Sequence, residues 1–310
     1  MSHPGHIPVL LEATLDALGP RPGQVAVDLT AGRGGHAVAL AEAVDPGGRV
    51  IGFDLDPESL DFTVRRLEGA GVPFVPIRES FVLAAQRVVE HGLRADVVLA
   101  DLGVSSHQLD RPQAGFSCTS DGPLDMRYDP KGPVTAADLL ASLDEDELAR
   151  LIAEYGEDPL ARKIARKLAQ TRRTEPIRST ARLARLVRES YGPRARYSRL
   201  HPATRTFMAL RIAVNDELGA LRCLLEQVVR GAEALQKGSW LAVQARVAVI
   251  SFHSLEDRLV KRAFADLARR GLATRITKRP LTASEAEVRD NPRSRSAKLR
   301  VVRIDGPDGT

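Results

Sequence analysis

The chain has 310 residues, 27% charged and 43% apolar, with a formal net charge of +5. That is the composition of a globular protein with room for a full-sized core and a substantial insertion. No apolar run approaches the roughly eighteen to twenty residues of a membrane span, and Met1 to Pro8 lacks the basic-then-apolar pattern of a secretory signal. Cys118 and Cys223 stand far apart without metal-ligand company, which points to reduced, structural thiols, metal-independent chemistry and a cytoplasmic location.

In chain order, His6 to Leu10 precedes a helical pattern of Leu11, Leu15 and Leu18, closed by Gly19-Pro20. Val25-Ala26-Val27 is a short strand ending in Asp28. It leads through Leu29-Thr30-Ala31 into the glycine turn Gly32-Arg33-Gly34-Gly35-His36-Ala37 and a helix to Val44. Glycines there let backbone approach a ligand closely and leave N–H groups at the helix start free to donate. A second strand, Val50 to Phe53, ends at Asp54, about twenty residues past the turn, where a Rossmann unit sets a carboxylate against ribose hydroxyls.

Gly32-x-Gly34-x-x-Ala37 also fits the loose dinucleotide pattern, so a nicotinamide oxidoreductase stays open. Asp28 weighs against it. A carboxylate at the first strand tip attracts the ammonium and sulfonium of S-adenosylmethionine and repels a pyrophosphate.

Pro57 to Leu67 reads as a helix and Phe74 to Ile77 as a strand. Phe81, just past that strand, can lie against an adenine or simply fill the core. Ala95 to Ala100 is a fourth strand running into Asp101-Leu102-Gly103-Val104-Ser105-Ser106-His107-Gln108. Alternating strands and helices argue a parallel, doubly wound sheet, with Asp101 at its carboxyl edge beside the glycine turn.

From about Leu109 the pattern turns loop-rich and then helical. Ser142-Leu143-Asp144-Glu145 reads as a capping box before Leu148, Leu151, Ile152 and Tyr155; Ile164 with Leu168, and Leu183 with Leu186 and Val187, mark two more helices. His201 to Phe207 leads into one long helix reaching about Leu235. Between Ala161 and Ile212 lie fifteen Arg or Lys against Glu175 and Glu189, a local balance of +13 that leaves −8 for the remainder. Arginine recurring through several segments favours a polyanion, nucleic acid above all, over a solvated basic surface.

The sheet resumes at Val247 to Phe252, which ends in His253-Ser254-Leu255-Glu256. His253 could touch a base or phosphate, though a capping histidine is the plainer reading. Thr274 to Thr277 and Leu299 to Ile304 could pair as a terminal antiparallel hairpin.

Six segments in order, Gly32 to His36, Asp101 to Asp110, Asp121 to Arg127, His201 to Arg211, Ser251 to Arg258 and Asn291 to Arg300, resemble the MraW family of bacterial 16S ribosomal RNA cytosine-N4 methyltransferases. The resemblance implies an α/β fold, a class I Rossmann-like methyltransferase sheet with an inserted all-helical domain. Residues 1–108 and 214–310 would bind S-adenosylmethionine and residues 109–213 would recognise RNA. It implies cofactor contacts at Gly34, Gly35, His36 and Asp54, with Phe81, Asp101 and Gln108 around the adenine and methionine ends. Small-subunit ribosomal RNA is the implied partner, with a homodimer possible and no membrane association. Cys118, Tyr128 and Met208 depart from the residues the family more often carries, and Gln236 to Arg246 is longer than its usual turn. No general base is singled out. An RNA-binding protein without catalysis is the second alternative.

Overall fold

A computed structural model describes residues 8–68, 71–197 and 201–305, so His6 and Ile7 lie outside the described residues. Helix α1 (Leu11–Leu18) stops at Gly19, whose φ of 53° lets its N–H reach the Leu15 carbonyl. Strands and helices then alternate: β1 (Val25–Asp28), α2 (Gly35–Val44), β2 (Arg49–Phe53), α3 (Pro57–Leu67), β3 (Phe74–Ile77), α4 (Ala84–Glu90) and β4 (Ala95–Asp101). Asp56 caps α3 by accepting from the Glu58 N–H ahead of Pro57, whose missing N–H costs nothing at a helix start. All four strands pair in parallel.

Val104–Glu217 forms a compact unit of its own. Its helices are α5 (Ser106–Asp110), α6 (Ala136–Ser142), α7 (Glu145–Gly156), α8 (Ala161–Arg172), α9 (Thr180–Tyr191) and α10 (Thr204–Asn215). Leu148, Ile152, Ile164, Leu168, Leu183, Val187 and Phe207 close its core. The capping box before α7 falls at Asp144 with Glu147, not at Ser142 with Glu145. Ser142 is the last residue of α6, so the chain is still helical there, and the extended residue that begins α7 is Asp144.

The long helix expected to reach Leu235 is two helices, α10 and α11 (Glu217–Glu233). Asp216 breaks them by adopting a left-handed φ of 47°. The sheet-bearing unit resumes at Leu218 with α11, β5 (Leu241–Ser251), α12 (Ser254–Arg269), β6 (Ala273–Arg275), α13 (Glu285–Asp290) and β7 (Lys298–Ile304). Its seven strands run in the order β3-β2-β1-β4-β5-β7-β6, with β7 antiparallel to both neighbours. The two terminal segments therefore do pair, but with a helix and a loop between them, so they form no hairpin. Strand β5 begins earlier than Val247: a register shift against β4, with Gln244 at φ 63°, absorbs the irregular stretch before Arg246.

Successive residues face opposite sides of this sheet. Val27, Val98, Val247 and Val249 enter one core, while Ala26, Val97, Leu99, Ala248 and Ile250 enter the other. Both faces are covered, which is why its central strands are nearly continuous apolar runs. The polar residues that end β1, β2 and β4 consequently collect at one edge.

Candidate functional site

Asp28, Asp54 and Asp101 mark the carboxyl ends of the three central parallel strands, the edge where open α/β sheets bind ligands. Thr30 ties two of them together. Its N–H donates to Asp28 Oδ1 at 3.1 Å, and its hydroxyl oxygen accepts from the Asp101 N–H at 2.7 Å. Asp28 Oδ2 and Asp101 Oδ1 are buried acceptors with no hydrogen-bond partner. Such atoms are costly unless a ligand answers them.

Asp54 is held more firmly: Oδ2 accepts from Gly32 N at 2.7 Å and Oδ1 from Asp56 N at 2.8 Å. Each oxygen keeps a second lone pair for a donor such as a hydroxyl. Burial pushes Asp28 up to about 7, with the nearby Asp54 charge adding to it, and pushes Asp54 up to about 6. Asp101 is raised well above the usual carboxylate range, first by burial and then by the charges of Asp28 and Glu256. A set of carboxylates so crowded and dehydrated favours cations.

The glycine turn is built for close approach. Gly34 sits at φ 76° with Thr63 so near that a Cβ would lie 3.0 Å from its hydroxyl. Thr63 itself donates to the Gly32 carbonyl at 2.8 Å, and the Arg33 guanidinium lies 3.9 Å above the Phe62 ring. A Cβ on Gly35 would come within 2.7 Å of Pro8, so the first turn of α2 admits no side chain there.

Among the residues singled out from sequence, Gly34, Gly35, His36, Asp54 and Asp101 converge on this edge. The His36 ring is buried and turned inward, with Nε2 3.1 Å from the Val9 carbonyl and Nδ1 3.5 Å from Asp101. Phe81 opens the short helical turn after β3 and lies half-buried against the core. Gln108 belongs to the helical unit, where its carboxamide completes a capping box with Ser105 at the start of α5. His253 is a capping histidine: it precedes α12, and its Nδ1 accepts from the Glu256 N–H. Thr30 was missed by sequence reasoning; the only signal for it is its position two residues after a strand-end aspartate.

A Rossmann-like sheet whose acidic strand tips surround a glycine turn defines an enzyme that captures a cationic nucleoside. The chain belongs to the MraW methylase family, whose model matches residues 3–305. It is 45% identical over 313 residues to the ribosomal RNA small subunit methyltransferase H of Symbiobacterium thermophilum, covering 96% of each chain. The protein of the same name from Citrifermentans bemidjiense is 46% identical over 314 residues, covering 96% of this chain and 97% of the relative. Membership sets the nicotinamide oxidoreductase aside.

Proposed function

We propose that the protein transfers a methyl group from S-adenosylmethionine to the N4 exocyclic amine of a cytidine in 16S ribosomal RNA. The observation that carries this reading is the pair of buried, partnerless carboxylate oxygens at the tips of β1 and β4, beside a glycine turn, in a chain of this family. These residues fit the cofactor. Asp28 and Asp101 offer anionic acceptors to its ammonium and sulfonium, Asp54 suits its ribose hydroxyls, and Gly34 and Gly35 let it lie against backbone. Phe81, just past β3 at the same edge, would line its adenine. When bound, the cofactor supplies an electrophilic methyl on sulfur.

The cytosine amine is a poor nucleophile because its lone pair is delocalised into the ring, so positioning must supply much of the rate. After β4 the chain turns at Gly103, at φ 95°, so the Leu102 and Gly103 carbonyls follow Asp101 directly beyond the end of the strand. In this reading these carbonyls accept from the amine and draw it out of ring conjugation, while Asp101 serves the cofactor. Asp101→Asn then lowers cofactor affinity; unchanged affinity with lost turnover overturns that assignment.

The helical unit is the RNA-reading part in this proposal. Arg162 and Lys163 on α8 and Arg185 and Arg188 on α9 are exposed, suited to phosphates, while the target base is splayed into the pocket. Work on ribosomal RNA implies a cytoplasmic site of action, and no helix among the described residues is long and apolar enough to cross a membrane. Incubation with methyl-labelled cofactor and small ribosomal subunits, followed by mapping of the labelled nucleoside, tests the whole reading. Label confined to a different nucleoside, or no label in RNA, overturns it.

A further inference from the structure

The last stretch of the sheet-bearing unit brings positive charge to the ligand edge of the sheet. From Lys278 to Lys298 there are six Arg or Lys against Glu285, Glu287 and Asp290. Glu287 is turned inward, accepting from the Leu10 N–H at 2.7 Å. Asp101, Ile250 and Leu299 stand level across β4, β5 and β7, so two strand spacings, about 10 Å, separate Leu299 from the Asp101 strand tip. Strand β7 starts at Lys298, opposite Ser251, the last residue of β5. The short helical turn Pro292–Ser296 that feeds β7 therefore lies beyond the sheet's carboxyl edge.

Two local devices fix the cations in place. In the turn Pro292–Ser296, Ser294 is fully buried, and its N–H and hydroxyl both donate to the Asn291 carbonyl, at 2.9 and 2.8 Å. Arg293 and Arg295 on either side of it are exposed. Upstream, Thr277 is tied to Val301 and Leu281 to Leu299. Four steps of chain there face two on β7, so Lys278, Arg279 and Pro280 bulge out of register. Lys278 and Arg279 are exposed, and the charged groups of Lys278, Arg279 and Arg295 have no ion-pair partner among the described residues. Charges at a sheet edge often serve only to keep other strands away. Here the bulge and Pro280, which has no N–H, already spoil the edge for pairing, so that duty is met without them.

We propose that this corner, with Lys278, Arg279 and Arg295 as its cations, grips phosphates of the RNA strand beside the target cytidine. The inference rests on the RNA reading proposed above and extends it: the sheet-bearing unit holds RNA as well as the helical one. Guanidinium groups fork onto phosphate oxygens, and anchored mounts lose little freedom in doing so. A strand held at this edge runs beside the strand tips that the reactive base must reach.

The test is the full chain carrying Lys278→Gln, Arg279→Gln and Arg295→Gln together. Filter binding of naked 16S RNA over a salt series is the main readout. Each lost contact should lower the log–log salt slope by about 0.7 and the affinity about fivefold near 0.1 M salt, so the triple variant should bind about a hundredfold more weakly. Methyl transfer should show a raised KM for RNA with kcat near wild type, while S-adenosylmethionine binding heat and the urea midpoint stay unchanged. Lys278→Arg with Arg279→Lys and Arg295→Lys keeps the charge and should keep the slope, which separates charge from folding. Wild-type slope and affinity in the triple Gln variant overturn the inference and leave the methyltransferase reading standing. A charge-conserving variant as weak as the Gln variant does the same. So does a loss seen with assembled subunits but not with naked RNA, which assigns the corner to a ribosomal protein. Wild-type protein that neither binds nor labels RNA overturns the RNA reading and the inference together.

Discussion

Replacing Asp28 by Asn separates what a buried carboxylate costs from what it is for. In the folded protein this group is raised from 3.8 to about 7, mainly by burial. Because the folded value lies above the unfolded one, its contribution to stability is full below the unfolded value and is lost as pH rises through about 7. Roughly three pH units correspond to ~4 kcal/mol over the full span, of which ~3 kcal/mol falls between about pH 5 and pH 8. Asparagine keeps an oxygen to accept from Thr30 N and does not titrate in this range. Urea unfolding of the two cofactor-free proteins across that range should therefore show the stability difference moving by ~3 kcal/mol in favour of the variant. Added S-adenosylmethionine should reverse the order, because wild type gains binding energy that the variant has lost. A difference that stays constant with pH refutes the burial argument. A variant that binds the cofactor as tightly as wild type refutes the electrostatic one.

Asp54→Asn places an amide where one oxygen now accepts from a backbone N–H, either Gly32 or Asp56, so one bond is lost and two donors oppose each other. Cofactor affinity measured by calorimetry should fall by ~2 kcal/mol, about thirtyfold. Gly34→Ala must hold φ 76° and press a methyl against Thr63, so denaturant unfolding should report a loss of ~1–2 kcal/mol; an unchanged midpoint would contradict the strain. Charge reversal at Arg162 and Arg185 should weaken RNA binding across sequences and flatten its salt dependence by about one unit of log–log slope per phosphate contact removed. Filter binding over a salt series reads both, and an unaltered slope places the RNA elsewhere.

Much of the sheet-bearing unit was legible because its signals are local. Valine-rich runs, a glycine turn at a helix start and aspartates at strand ends are each set by neighbours a few residues away. The turns in the chain that sequence misplaced are those where two local solutions compete. Ser142 and Asp144 both offer a capping pattern, and only the extent of α6, which runs through Ser142, decides between them. Asp216 interrupts a periodicity that runs on through it, because a single left-handed residue leaves no trace in apolar spacing. At the site, the glycines and Asp54 could be named from their spacing. The inward turn of His36 toward Asp101 could not, since the two are joined only by the packing of α2 against the sheet. Gln108 reads as a pocket residue in a motif, yet the same side chain also serves as a helix cap.

Strand β7 lies inside the sheet, between β5 and β6, although it is the last of the strands in the chain. Its partner β5 borders β4, which carries Asp101 at its tip. During synthesis the Val104–Glu217 segment is complete long before β7 emerges, at a point where the sheet still lacks three of its seven strands. A translating ribosome would therefore extrude this protein in a form that has its helical module but lacks a finished methyl-donor pocket. Competence would come only with the final stretch, and a nonsense mutation even slightly ahead of Lys298 should abolish cofactor capture as thoroughly as one near the start.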